Sequence, residues 1–226
     1  MDGLARTIGE IVPLAVAVAF TMLPIIATLV VLVGSQHATR GFLLTAGYAA
    51  GLALMSGLAT FGLLHVGLPR FDIAPAVFIV VGLLLLALCG LRFARRGRAS
   101  THPSRSPALL GRLQRLNRPG ALGIGFQFAF HPENLLLIGA ASTKIVAASL
   151  PGGGPAIVLS TFCAISVSTV LVPSIIYGVA GSSMKSTLER LRDWLLTNST
   201  KITFALLCAA GLFLIAYGAW KILTAQ

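Results

Sequence analysis

Two stretches decide the architecture: Phe20-Thr21-Met22-Leu23-Pro24-Ile25-Ile26-Ala27 and Phe128-Ala129-Phe130-His131-Pro132-Glu133-Asn134-Leu135. Each lies inside a long apolar segment, and each sets a proline four residues after a phenylalanine. A proline within a helix has no N–H to donate, and its ring crowds the carbonyl four residues back. In a bilayer the backbone groups so released are tolerated only against neighbouring helices or a water-filled cavity. The two prolines stand 108 positions apart, almost half of the 226-residue chain. This spacing implies two halves of three spans each, and because three is odd the halves run in opposite directions through the membrane. In such an inverted repeat the broken helices of the two halves form a midplane site. If the breaks are equivalent, spans one to three superpose on spans four to six and bring Pro24 and Pro132 together near the bundle centre.

Composition supplies the membrane. The chain is 56% hydrophobic and only 10% charged, with a mean hydropathy of +0.91, which excludes an ordinary soluble surface. Residues 11–39, 41–69, 73–91, 145–184 and 202–220 contain no Asp, Glu, Lys or Arg, and 119–143 is interrupted only by Glu133. A helix needs roughly 20 apolar residues to cross about 30 Å of hydrocarbon. The run 145–184 is too long for one span and is divided by Pro151-Gly152-Gly153-Gly154-Pro155, a turn signal. Six spans follow, at about 9–34, 39–64, 72–92, 120–144, 155–181 and 201–223. The fold class is thus an all-α polytopic membrane protein. Its first three-helix repeat covers 1–91, a basic linker 92–119, and the second repeat 120–226. The first apolar stretch exceeds the usual core of a signal peptide and is read as an uncleaved span.

The 17 Lys and Arg orient the bundle. With 92–119 in the cytoplasm, that side receives Arg40, the eight arginines of the linker, Lys185, Arg190, Arg192 and Lys201, giving 13. The other side receives Arg6, Arg70, Lys144 and Lys221. The positive-inside rule then sets both termini outside. Because the basic residues punctuate apolar segments, the net charge of +11 does not mark a nucleic-acid binder. The linker reads as a topology anchor near anionic headgroups or as a recruitment surface for lipid or partner. Met184, Leu188, Leu191 and Leu195 recur at helical spacing among charged positions, so about 183–197 reads as an interfacial amphipathic helix with Trp194 at headgroup level, or as the lead-in to the last span.

Glu133 is the acid placed well inside an apolar run. Charge at that depth costs about 2.5–3.5 kcal/mol on insertion scales, so Glu133 faces the interior, is protonated, or is paired. On an unbroken helix His131 stands about 200° from it, so the two line one site only if the helix opens at Pro132. The substrate-binding or coupling set is therefore Glu133, His131, Pro132 and Asn134 from the fourth span, Pro24 and Thr21 from the first, and Pro173 and Ser174 from the fifth. Each also has a structural reading, as an interior hydrogen-bonding group or a helix kink. Gly47 and Gly51 have the spacing that lets helices approach closely. Cys89, Cys163 and Cys208 stand alone in apolar runs as packing residues, and neither a metal nor a cofactor is expected. No nucleophile–base set, phosphate loop or dinucleotide fingerprint occurs, so an enzyme is not expected.

Leu23-Pro24-Ile25-Ile26-Ala27, Gly41-Phe42-Leu43, Pro132-Glu133-Asn134-Leu135-Leu136-Leu137, the basic linker and the Trp194-bearing segment together resemble the GAP family, the peptidoglycolipid- and sulfolipid-addressing proteins of actinobacteria within the LysE-type exporter superfamily. The family's usual Asn-Pro-Lys-Asn is replaced here by His131-Pro132-Glu133-Asn134, an acid where a cation is expected. The resemblance implies export of a cell-envelope glycolipid or its precursor across the bacterial cytoplasmic membrane. It also implies membrane lipids and a glycolipid as partners, and is compatible with homo-oligomers and with envelope-biosynthesis proteins as neighbours. Two other readings stay open: a LysE-like exporter of a small amino acid or cation, and a non-transporting assembly partner of envelope-lipid synthases.

Overall fold

The computed structural model describes residues 2–35, 38–66, 73–96 and 117–224. These residues are helical throughout, apart from short turns. The helices are α1 (Asp2–Ala19), α2 (Met22–Ser35), α3 (Ala38–Val66), α4 (Ile73–Arg96), α5 (Arg118–Phe128), α6 (Pro132–Ala147), α7 (Gly154–Ala180) and α8 (Lys185–Thr224), with a 3-10 turn at Gly181–Met184. Most of the basic linker lies outside the described residues.

Among the described residues, three helical stretches are long and apolar enough to cross a membrane: Ala38–His65, Gly154–Ala180 and Lys201–Trp220. The pair Gly3–Ala19 and Met22–Gly34, bent by 50°, makes a fourth if counted as one broken span. The chain is an all-helical membrane protein. The fourth expected span is divided into α5 and α6, of 11 and 16 residues, and neither half reaches across a bilayer alone. In α4 the apolar stretch Phe78–Leu91 is also short. The expected turn near 151–155 is present: Ala148–Gly153 separates α6 from α7, and Gly152 has φ 57°, a left-handed conformation in which glycine has no side chain to clash.

The helices pack as exchanged pairs. α3 lies along α5 and α1 along α7; α2 meets α8 and α6 meets α4; α3 packs on α7 and α4 on α8, and α6 also lies against α3 and α1, and α2 against α3. Small residues set the closest of these. A Cβ placed on Gly47 would stand 2.0 Å from the Leu122 carbonyl oxygen, and one on Gly125 would stand 2.0 Å from that of Leu44. Gly51, one turn beyond Gly47, faces Ala129 and Phe126, where a Cβ would stand 2.7 and 2.8 Å away. Gly82 and Gly211 do the same between α4 and α8, where Cys89 Sγ and Cys208 Sγ stand 3.4 Å apart.

The amphipathic segment expected at 183–197 enters the last span without a break, since α8 is continuous over 40 residues. Leu188 and Leu195 are buried against the bundle, whereas Trp194 is exposed. Of the expected apolar stripe, Leu188 and Leu195 therefore pack on protein along the start of α8, while Leu191 stays exposed.

Candidate functional site

Both proline-bearing stretches are breaks. α1 closes at Phe20 and Thr21, whose N–H groups donate to the Val16 and Val18 carbonyls at 3.1 and 3.0 Å. Pro24 then lies in the first turn of α2, where a missing N–H costs nothing. The carbonyls on the α1 side are taken up by α7: Thr169 Oγ1 donates to Ala19 O, and Ser166 Oγ to Ala15 O at 3.4 Å. In the second break the N–H groups of Ala129, Phe130 and His131 donate to the carbonyls of Phe126, Gln127 and Phe128 at 3.2, 3.1 and 3.3 Å. His131 is extended (φ −63°, ψ 135°), as a residue before proline prefers, and Pro132 opens α6.

One side chain ties the two breaks together. Asn134, on the first turn of α6 and 0% exposed, donates from Nδ2 to Phe128 O at 3.1 Å. Thr21 Oγ1 lies 2.8 Å from its Oδ1. A backbone carbonyl can only accept, so Nδ2 must face Phe128; Thr21 is therefore the donor to Oδ1. The carboxamide thus closes the α5–α6 break with one end and holds the α1–α2 break with the other. Tyr48 of α3, fully buried, has its hydroxyl beside Asn134, short of a well-formed hydrogen bond.

Glu133, 6% exposed, is buried on the same first turn, where the partial positive charge of a helix N-terminus favours a carboxylate. His131 is partly buried just ahead of it. The helix does open at Pro132, as their sharing of one site requires. The prolines themselves differ in burial: Pro24 is buried, but Pro132 is exposed. Proline offers no polar atom beyond its carbonyl, so the contact between the breaks falls to Thr21 and Asn134. Pro173 and Ser174 are buried in α7 but belong to another cluster. Ser174 Oγ lies 3.4 Å from Thr45 Oγ1, which donates to Gly41 O at 3.0 Å. The structure therefore brings Thr21, Pro24, His131, Glu133 and Asn134 into one region, and puts Ser174 in an α3–α7 contact.

A second polar cluster lies around Lys144. Lys144, counted with the outer loop residues, is 4% exposed inside the bundle. Its ammonium binds Glu10 Oε2 of α1 and the Tyr217 hydroxyl of α8. The nitrogen stands 5.0 Å from the Phe78 ring centre and 4.2 Å from that of Tyr217, within cation–π range. Glu133 is therefore not the sole acid within the bundle. The signal available in the sequence was that Lys144 is the lone cation between Arg118 and Lys185.

No curated protein and no solved structure matches the chain. The family model described as Sap, sulfolipid-1-addressing protein, matches residues 11–219, a range that includes both breaks, Asn134 and Lys144. With nearly its whole length matched, and the motifs resembling the GAP proteins within that length, the chain belongs to the family of sulfolipid-1-addressing proteins.

Proposed function

We propose that this protein is a secondary transporter that exports a cell-envelope glycolipid or its precursor across the cytoplasmic membrane, with six spans arranged as two inverted three-helix repeats. The observation that carries the reading is the Thr21–Asn134 hydrogen bond between the two helix breaks. Broken helices that meet expose polar backbone only where it is protein-covered or lines a pathway. The exchanged helix pairs support the repeat: replacing α1, α2, α3 and α4 by α5, α6, α7 and α8 turns α3–α5 into α7–α1 and α2–α8 into α6–α4, while α3–α7 and α4–α8 map onto themselves. The family supports an envelope glycolipid as cargo, and kinship with LysE-type exporters is part of the same proposal. With the linker cytoplasmic, the headgroup passes the breaks outward while the acyl chains stay in lipid.

Buried Glu133 favours a second reading, export of a small cationic amino acid, in which its carboxylate holds an ammonium group. The test is deletion in the native host with complementation by wild type or the Asn134→Ala variant, followed by separate lipid analysis of the surface and the cell interior. Glycolipid export predicts loss of one surface glycolipid and its accumulation inside, restored by wild type only. Unchanged lipids with an intracellular excess of one amino acid would replace the first reading by the second. Unchanged lipids and amino acids would refute both.

A further inference from the structure

Lys144 and Glu10 pair across the bundle, yet neither belongs to the helix breaks. α1 leads into the first break and α6 leads out of the second, so the two residues lie on the same side of the breaks. Glu10 is about 15 Å from Phe20 along its helix and Lys144 about 18 Å from Pro132, at 1.5 Å per residue. Four helices converge on the ammonium: α1 with Glu10, α6 with Lys144 itself, α4 with Phe78 and α8 with Tyr217. With the termini outside, this cluster closes the outer half of the bundle.

Burying an ion pair seldom stabilises a fold more than apolar side chains of the same volume would. The pair's construction points instead to exchange of partners. Two of the three ammonium donors are engaged by Glu10 and Tyr217. Phe78 and Tyr217 offer aromatic faces that hold a cation whichever anion accompanies it. Glu10 is 21% exposed and divides its carboxylate: Oε2 goes to Lys144, while Oε1 lies 3.4 Å from Nε of Arg6, one turn nearer the helix start and 76% exposed. Turning towards Arg6 keeps Glu10 partnered while Lys144 takes another anion.

We infer that Lys144 is the anion site of the outer half of the bundle, held at rest by Glu10 and taken during passage by the sulfate or phosphate ester headgroup of a lipid while Glu10 moves to Arg6. This rests on the reading of the bundle as a lipid pathway. An ammonium is a compact point charge that either ester satisfies through its terminal oxygens. Glu10 therefore competes with the headgroup, and its removal tightens binding, whereas removing one member of a merely structural pair has no such effect.

The test uses full-length protein in dodecylmaltoside micelles, titrated with sulfated galactosylceramide or with phosphatidic acid and read by native mass spectrometry, with neutral galactosylceramide as reference. The arginines of the linker also attract anionic headgroups, so the readout is the difference between variants. Glu10→Gln is expected to bind either anionic lipid about tenfold more tightly than wild type, and Lys144→Gln at least about tenfold more weakly, the range of one charge-assisted hydrogen bond. The uncharged double variant Glu10→Gln with Lys144→Gln guards against misfolding from an orphaned charge and is expected to bind as weakly as Lys144→Gln alone. Affinity unchanged in Glu10→Gln, or a double variant that binds like wild type, would overturn the proposal. Full competition by millimolar inorganic sulfate would overturn the lipid assignment in favour of a free-anion site. If the affinities shift as expected but deletion leaves the envelope lipids unchanged, the anion site stands and the export reading falls. If export depends on the protein while the affinities ignore Glu10 and Lys144, export stands and the site falls.

Discussion

The hydrogen bond that joins the two breaks can be measured directly. Thr21→Val keeps the shape of the side chain and removes only the hydroxyl, and Asn134→Ala removes both ends of the bridge. In the structure Asn134 makes two bonds, to Phe128 O and from Thr21, and it is fully buried, so water does not replace either one. Side-chain hydrogen bonds within membrane proteins average about 0.6 kcal/mol in double-mutant cycles, while a buried group left without its partner costs about 1–3 kcal/mol. Asn134→Ala is therefore expected to destabilise by about 1–3 kcal/mol, chiefly through the buried Thr21 hydroxyl left without its acceptor, since Phe128 O keeps the His131 N–H, and Thr21→Val by about 0.6 kcal/mol. Because one bond is shared, the double variant should be less destabilised than the sum of the singles by about 0.6 kcal/mol. Unfolding in bicelles by sodium dodecyl sulfate, followed by far-ultraviolet circular dichroism, gives the three values. Strict additivity would mean that Thr21 and Asn134 do not hold each other. Ser168→Ala removes an exposed hydroxyl that bonds only within its own helix, to Ile165 O at 2.7 Å, and should leave both stability and surface glycolipid unchanged.

Further outcomes follow from the packing and from Glu133. Gly47→Ala and Gly125→Ala each require a 2.0 Å approach to a backbone oxygen to open to at least 3.4 Å. Each should cost about 1–3 kcal/mol, their costs should not add because one separation relieves both, and Gly123→Ala, with nothing within 4 Å, should be neutral in the same unfolding assay. Copper-phenanthroline oxidation should link Cys89 to Cys208, 3.4 Å apart; trypsin cleavage in the arginine-rich linker should then leave the two halves joined on a non-reducing gel, and in Cys89→Ser they should separate. Glu133→Gln keeps the side-chain shape and removes ionisation; if Glu133 couples export to proton movement, this variant inserts and unfolds like wild type yet fails to restore export. Full export by the Gln variant across the working pH range would make Glu133 a structural group.

The breaks were legible because proline acts locally. Pro24 and Pro132 remove a donor from whatever helix contains them, so their positions needed no knowledge of neighbours. The glycine approach at Gly47 and Gly51 was legible for a related reason: a missing side chain matters wherever the helix packs. What the prolines could not tell was which atoms would meet between the breaks. That depended on Asn134 standing on the inward face of α6 two residues beyond Pro132, and on Thr21 lying at the gap between α1 and α2, both set by tertiary packing. The hydroxyls around Pro173 showed the same division. Ser166 and Thr169 reach the α1 carbonyls, whereas Ser174 turns to Thr45, and residue type alone did not separate them.

Charge shows most clearly where a linear reading stops. Glu133 stands out because no charge lies near it in the sequence, and it is read as the acid well inside an apolar run on that ground. Glu10 and Lys144 each stand near an end of an apolar run, where a charged residue normally marks the edge of the membrane, and Lys144 is counted with the outer loops on that ground. The structure sets them 134 positions apart in sequence and in contact, so each removes the other's reason for staying in water. Aromatic rings from two more helices then cover the ammonium. A lone charge inside a span announces itself by its cost. A compensated pair hides, because the compensation is long-range and each member looks like a boundary. The charges with the strongest claim to act during passage are those whose partner can be exchanged, and in this bundle that describes Lys144 through Glu10 and its second partner Arg6.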